Sequence, residues 1–217
     1  MVNSSVAIES IAKPTVFRQR SQMMKLNDTS SVLAFLKSRK SASAKAMGGL
    51  GPSGDQLNEI LEIAVRVPDH GKLSPWRFVL IEGEARARIG EGFAEVWAKN
   101  NPSHSKESLD FQRGLFMRAP FILVVVSSSV VHGKIPVWEQ QMSAAAVCYN
   151  AVLAASAMGF DAQWQSDWVA YDMGAKEVMG VHAHEKVAGI IYIGTSTVPL
   201  EDRPRPNVSD LLTRITS

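Results

Sequence analysis

The chain is poor in the residues that most directly announce chemistry. It has a single cysteine, Cys148, which excludes an intrachain disulfide and every zinc or iron–sulfur motif that needs several thiolates. His182-x-His184 is the one close histidine pair among five histidines, and no acidic or cysteine partners stand around it at zinc spacing. No stretch reaches the roughly 18 uninterrupted apolar residues of a membrane span. No block of five or six like charges occurs either, and 23 Lys and Arg against 21 Asp and Glu leave a net charge of only +2. A nucleic-acid or anionic-membrane surface is therefore not expected. The glycine run Gly48-Gly49-Leu50-Gly51-Pro52 lacks the Gly-Lys-Ser/Thr ending of a phosphate-binding P-loop, and no Gly-x-Gly-x-x-Gly follows a strand, which argues against a Rossmann domain. Nucleophilic catalysis has no support: there is no Gly-x-Ser-x-Gly elbow, and Cys148 has no persuasive partner.

What remains is an ordinary globular composition. With 217 residues, 46% apolar and 20% charged, the chain is sized for one domain with a substantial core. Cysteine usage suits a reducing compartment, so a cytoplasmic protein is expected. Residues 1–28 lack the apolar core of a signal peptide and are expected to be a disordered extension, leaving a single folded domain over 29–217.

Patterning along that domain predicts a mixture of helices and strands without strict βαβ alternation, hence an α+β fold. A short helix is expected over 30–38, capped by Ser30 or Ser31, with Val32, Leu33, Phe35 and Leu36 as its apolar face. Ser53 and Gln56 form a capping box for a helix over 54–66. Phe78–Ile81 reads as a strand and 84–99 as a helix. A polar loop or lid is expected over 100–108 and a helix over 109–117. Phe121 to Val126 is unbroken and β-rich, the mark of a strand buried on both faces. Residues 138–158 form a long alanine-rich helix stopped by Gly159, suited to close packing in the core or across a dimer seam. Strands are expected over 161–165 and 187–193, with a short helix over 172–179 between them.

Three local clusters carry candidate chemistry. Arg39-Lys40-Ser41 closes the first helix with two cations and a hydroxyl. Cations at a helix C-terminus compensate the dipole; the same triplet is also a phosphate site, with a guanidinium fork and a hydroxyl donor. Arg66 and His70 lie at a helix end and in the loop Pro68-Asp69-His70-Gly71, which leads through Pro75-Trp76 into a strand. By composition they read as a solvated cation and a loop hydrogen-bonder, although loops at sheet edges also display functional groups. Pro136-Val137-Trp138-Glu139-Gln140-Gln141-Met142 opens the long helix, where Glu139 reads as a helix-capping acid and Trp138 as a packed aromatic.

Taken together, Arg39-x-Ser41, Arg66-x-Pro68-Asp69-His70 with Pro75-Trp76, the Trp138-Glu139 segment, Gly159-Phe160-Asp161-Ala162-Gln163-Trp164-Gln165-Ser166 and Gly194-Thr195 resemble the nitroreductase family of FMN-dependent oxidoreductases, in its short bacterial NAD(P)H nitroreductase branch. The resemblance runs from about residue 31 to 200. It implies a three-layer α-β-α fold with a central mixed, mainly antiparallel sheet, and an intertwined homodimer with FMN at its interface. It implies FMN contacts from Arg39, Lys40, Ser41, Arg66, His70, Trp164, Gln165 and Ser166, with the Arg66–His70 locus supplied across the dimer. Ala154, Ala155, Ser156, Ala157, Met158 and Gly159 match a stretch assigned in relatives to the nicotinamide nucleotide. Some relatives have a basic residue where Gln165 stands. Arg203 and Arg205 are candidates to reach the phosphate from the tail, or are simply solvated.

The implied chemistry is ping-pong. NADH or NADPH delivers hydride to flavin N5 and leaves, and a small-molecule acceptor such as a nitroaromatic or quinone then takes the same slot. No catalytic side chain and no metal are expected; Trp76, Trp138 and Trp164 are candidate slot walls. A flavin-binding or redox-sensing module without turnover is the alternative within the same fold. A metal-dependent hydrolase using His182 and His184 is the alternative outside it.

Overall fold

The computed structural model describes residues 25–216 and, ahead of them, the backbone of Phe17–Arg18. The extension expected over 1–28 therefore lies mostly outside the described residues. Phe17–Arg18 (β1) pairs antiparallel with Arg205–Pro206 (β6), and this ribbon belongs with the tail from Glu201 to a unit separate from residues 26–200. Within the tail, Arg205 Nη2 donates to Asp202 Oδ1 at 2.8 Å.

Residues 26–200 carry α1 (Val32–Ser38), α2 (Gly54–Ala64), β2 (Trp76–Glu82), α3 (Ala85–Asn100), α4 (Lys106–Arg113), β3 (Phe121–Ser127), α5 (Val137–Ala157), β4 (Asp161–Gln165), α6 (Met173–Val178) and β5 (Lys186–Gly194). The four strands form one sheet in the order β2-β3-β5-β4. Each of its ladders is antiparallel, so the parallel pairing that a mixed sheet requires is not found among the described residues.

β3 organises the core because its apolar run has no polar face to turn outward. Ile122, Val124 and Val126 pack on one side with Phe93 of α3, Phe116, Ala175 and Met179. Leu123 and Val125 pack on the other with Ile60 and Ala64 of α2 and with Val147, Cys148, Ala151 and Ala155 of α5. Two helical layers thus sandwich the sheet, the expected α-β-α arrangement. Small side chains on α5 let it lie close to the strands. At Gly189 of β5 an added Cβ would sit 2.2 Å from Trp164 Nε1 and 2.8 Å from Cys148 Sγ. Burial pushes the Cys148 thiol up to about 12, which leaves it an inert core group.

Two local expectations are corrected. α4 begins at Lys106, capped by Ser105 Oγ accepting from Ser108 N, and ends at Arg113; residues 116–118 form a separate 3-10 turn. The polar segment reads as a loop by hydropathy, yet a cap and the Lys106–Asp110 pair at 2.8 Å support a helix there. The apolar face of α1 is also not buried as a unit. Phe35 packs inward, while Val32, Leu33 and Leu36 are 74, 66 and 52% exposed. Trp138 and Met142 of α5 are likewise 68 and 52% exposed.

Candidate functional site

The cation cluster stands where α1 ends. Lys40 is gripped by Asn27, whose Oδ1 accepts from Lys40 N at 2.8 Å and whose Nδ2 donates to Lys40 O at 3.2 Å. Ser38 Oγ caps the same turn by accepting from Asp28 N at 2.9 Å. With the backbone fixed, Arg39 Nη1 lies 3.2 Å from Ser41 Oγ and Lys40 Nζ lies 3.3 Å from Ser41 O. All three residues are half-buried. Among the described residues neither Arg39 nor Lys40 forms an ion pair. Two converging cations and a hydroxyl without a counter-charge are the donor set a phosphate dianion needs. Dipole compensation would not require the serine. The Arg39 guanidinium also lies 5.7 Å from the Tyr149 ring centroid on α5, an aromatic that composition alone gave no reason to select.

β4 is tied to this cluster. Gln163 Oε1 accepts from Ala44 N at 2.5 Å and from Gln165 Nε2 at 2.8 Å. Gln165 is therefore linked to the loop after α1 through Gln163, a residue the motif contains but sequence reasoning did not assign a role. Trp164 is 39% exposed and leans over Gly189; Ser166 is exposed.

The second locus runs alongside α5. Asn150 Nδ2 donates to Ile63 O at 2.5 Å and to Arg66 O at 3.4 Å, Ser143 Oγ donates to Pro68 O, and His70 Nδ1 lies 2.7 Å from Glu139 Oε2. Arg66 and His70 are both exposed. His70 thus touches α5 at Glu139 and Arg39 approaches it at Tyr149, positions about 15 Å apart at the helical rise of 1.5 Å per residue. His70 is thus well separated from Arg39 along α5, whereas the Arg66 carbonyl, held by Asn150, lies one residue along the helix from Tyr149.

Of the stretch matched to a nicotinamide nucleotide, Ala154, Ala155 and Ser156 are shut in the core at 2, 0 and 2% exposure. They pack against the sheet and offer no surface to a ligand. Ala157 and Gly159 are exposed and Met158 is half-buried. The His182 and His184 rings stack in parallel at 5.8 Å, and no group of three metal-ligating side chains occurs among the described residues. The His182 backbone belongs instead to a structural network. Glu185, 4% exposed, accepts from Arg77 Nε at 2.8 Å and Nη2 at 2.6 Å, from Ser128 Oγ at 2.9 Å and from His182 N at 2.9 Å. Hydrogen bonding from Arg77 outweighs burial and holds the carboxyl down at about 2.

Comparison with known proteins fits this geometry. Residues 51–195 match the model of the nitroreductase family. The chain is 37% identical over 163 residues to the Escherichia coli K12 protein named "Putative NAD(P)H nitroreductase YdjA", covering 75% of this chain and 87% of that one. A nitroreductase-like family protein from Bacillus cereus superposes with a TM-score of 0.72 at 23% identity, over 87% of this chain and 97% of that one. A Bacteroides fragilis nitroreductase with bound FMN gives 0.64 at 21% identity, over 85 and 98%. No helix among the described residues is long and apolar enough to cross a membrane.

Proposed function

Because this chain belongs to the nitroreductase family, and is an oxidoreductase on that ground, we propose that it binds FMN, takes electrons from NADH or NADPH and passes them to a small acceptor such as a nitroaromatic or quinone. The observation that carries the reading is the pair of half-buried cations Arg39 and Lys40 converging with Ser41 where no carboxylate neutralises them. That donor set fits the FMN phosphate. When bound, FMN supplies the two-electron chemistry.

The chain's own part is binding and orientation. Arg39 and Ser41 hold the phosphate end, with Lys40 adding charge. Gln163 keeps Gln165 and Trp164 in register with that loop, so phosphate and ring contacts move as one body. Trp164 and Trp138 present flat apolar walls that exclude water from the slot. Ala157, Met158 and Gly159 are what remains of the nucleotide stretch for a nicotinamide donor to reach.

The site is proposed to be completed in a homodimer, with Arg66 and His70 contributed by the second copy. The roughly 15 Å between His70 and Arg39 along α5 supports this for His70, as do the exposed apolar side chains Val32, Leu33 and Leu36 of α1 and Trp138, Met142 and Tyr149 of α5 for a second copy. With one cysteine, and that one buried, the protein suits the reducing cytoplasm. An absorbance spectrum of the purified protein tests the reading: flavin bands at about one FMN per chain are expected. Colourless protein that takes up no added FMN refutes it. Steady-state oxidation of NADH or NADPH with a nitroaromatic or quinone then separates turnover from mere flavin storage.

A further inference from the structure

His70 precedes a stretch of left-handed backbone. Gly71, Lys72 and Ser74 have φ of 71, 55 and 46°, and a non-glycine residue in that region costs on the order of 1–3 kcal/mol. The surroundings enforce it. Asp69 Oδ1 accepts from Leu73 N at 3.1 Å and Oδ2 from Ser74 N at 2.8 Å. Ser143 of α5 holds Pro68 O. A Cβ on Gly71 would lie 2.5 Å from Ile135 Cδ1, so the positive φ favours glycine beside the histidine and any side chain there would have to turn Ile135 aside. Strained backbone held both from within the loop by Asp69 and from α5 by Ser143 points to a positional requirement at His70.

Glu139 meets that histidine at 2.7 Å, and its usual employment is missing. It stands three residues after the N-cap of α5, where an acid reaches back to the cap's N–H. The cap is Pro136, which has no N–H. Glu139 therefore has no capping bond to make. Nor does the pair serve stability, since its side chains are 63 and 47% exposed and such pairs contribute about 0–1 kcal/mol. An ionised carboxylate only accepts hydrogen bonds, so Nδ1 must carry the proton, and in the neutral ring Nε2 is left as a free acceptor.

We propose that Glu139 is a positioning residue: it fixes the rotation and tautomer of His70 so that Nε2 is presented to FMN as an acceptor. The inference rests on the proposed function and adds a residue acting through another. Nitrogen NMR on the full chain with ¹⁵N-labelled histidine, at alkaline pH, reads the tautomer directly, with the His70 resonance identified by its loss in His70→Asn. Wild type should show Nδ1–H. Glu139→Ala should revert toward Nε2–H, the tautomer that an unconstrained neutral histidine side chain prefers. Glu139→Gln, whose carbonyl can accept the same proton, should retain it in large part. In FMN fluorescence titrations Glu139→Ala and His70→Ala should each raise the dissociation constant roughly 5- to 30-fold, and the double variant should be no worse than either single. Additive losses, or a tautomer unmoved by Glu139→Ala, overturn the inference. FMN binding by wild type that Glu139→Ala does not weaken overturns the inference alone. No FMN binding by any variant overturns the proposed function and this inference with it.

Discussion

Replacing Arg39 by alanine removes a guanidinium with two partners inside the chain, Ser41 Oγ at 3.2 Å and the Tyr149 ring at 5.7 Å. Neither is a carboxylate, so the substitution leaves no anion unpaired. The apoprotein should lose about 0.5–1 kcal/mol, the scale of an exposed cation–π contact, and melt no more than about 4 °C lower. The phosphate-bound state should lose far more. A hydrogen bond between charged groups contributes about 1.5–3 kcal/mol, which raises the FMN dissociation constant roughly 10- to 150-fold. Arg39→Lys keeps the charge but not the fork, and should recover only part of that loss. The assay is flavin fluorescence titration, run at low and high salt and paired with melting curves of the apoprotein. Unchanged affinity in Arg39→Ala would refute the phosphate assignment. A large fall in apoprotein stability would also refute it, because Arg39 would then be a structural residue.

Three further outcomes follow from other parts of the molecule. Glu185, held at about 2 instead of 4.5 by Arg77, contributes about 3 kcal/mol that is present above the ordinary carboxylate range and lost as pH falls through it toward 2; denaturant melts between pH 5 and 2 should show a slope that Glu185→Gln removes. Gly189→Ala should destabilise by about 1–3 kcal/mol and shift Trp164 fluorescence, because the new methyl meets Trp164 and Cys148; a silent substitution would mean that Trp164 does not lie over β5. If the site spans two copies, Arg39→Ala and His70→Ala chains refolded together should regain part of the FMN binding that each has lost. Excess FMN should also oppose dissociation on dilution, by mass action, as followed by sedimentation, whereas a monomer that binds FMN tightly would rule out the shared site.

How much of this is readable without a structure depends on the range of the interaction. The β3 run is legible because six consecutive apolar residues have no water-facing alternative. The α2 capping box is legible because its partners lie three residues apart, and the structure contains both of its bonds. The first turn of α4 is not legible, since Lys106-Glu107-Ser108 has no apolar period and rests on a cap and charge pairs, so the helix expected over 109–117 starts three residues earlier, at Lys106, and ends at Arg113. At the site, Arg39 and Ser41 are recognisable as neighbours in sequence. Their supports are not: Gln163 reaches Ala44 across 119 residues and Glu139 reaches His70 across 69. Such pairings exist only after the sheet has set the distances. The apolar face of α1 misled in the opposite way, since apolar spacing marks a face suited to burial and does not say that its own chain buries it.

The grip of Asn27 on both the N–H and the carbonyl of Lys40 makes the segment ahead of α1 a tether to the cation cluster. A chain shortened to begin at Lys25 keeps these two bonds, and one beginning at Thr29 loses both. Asn27 N donating to Ser38 O at 3.3 Å and Asp28 N donating to Ser38 Oγ at 2.9 Å tie the same segment to the end of α1, so it supports the residues proposed to grip a phosphate at several points. Asn27 and Asp28 are therefore part of the support of the proposed site, and a change at either reaches the cation cluster.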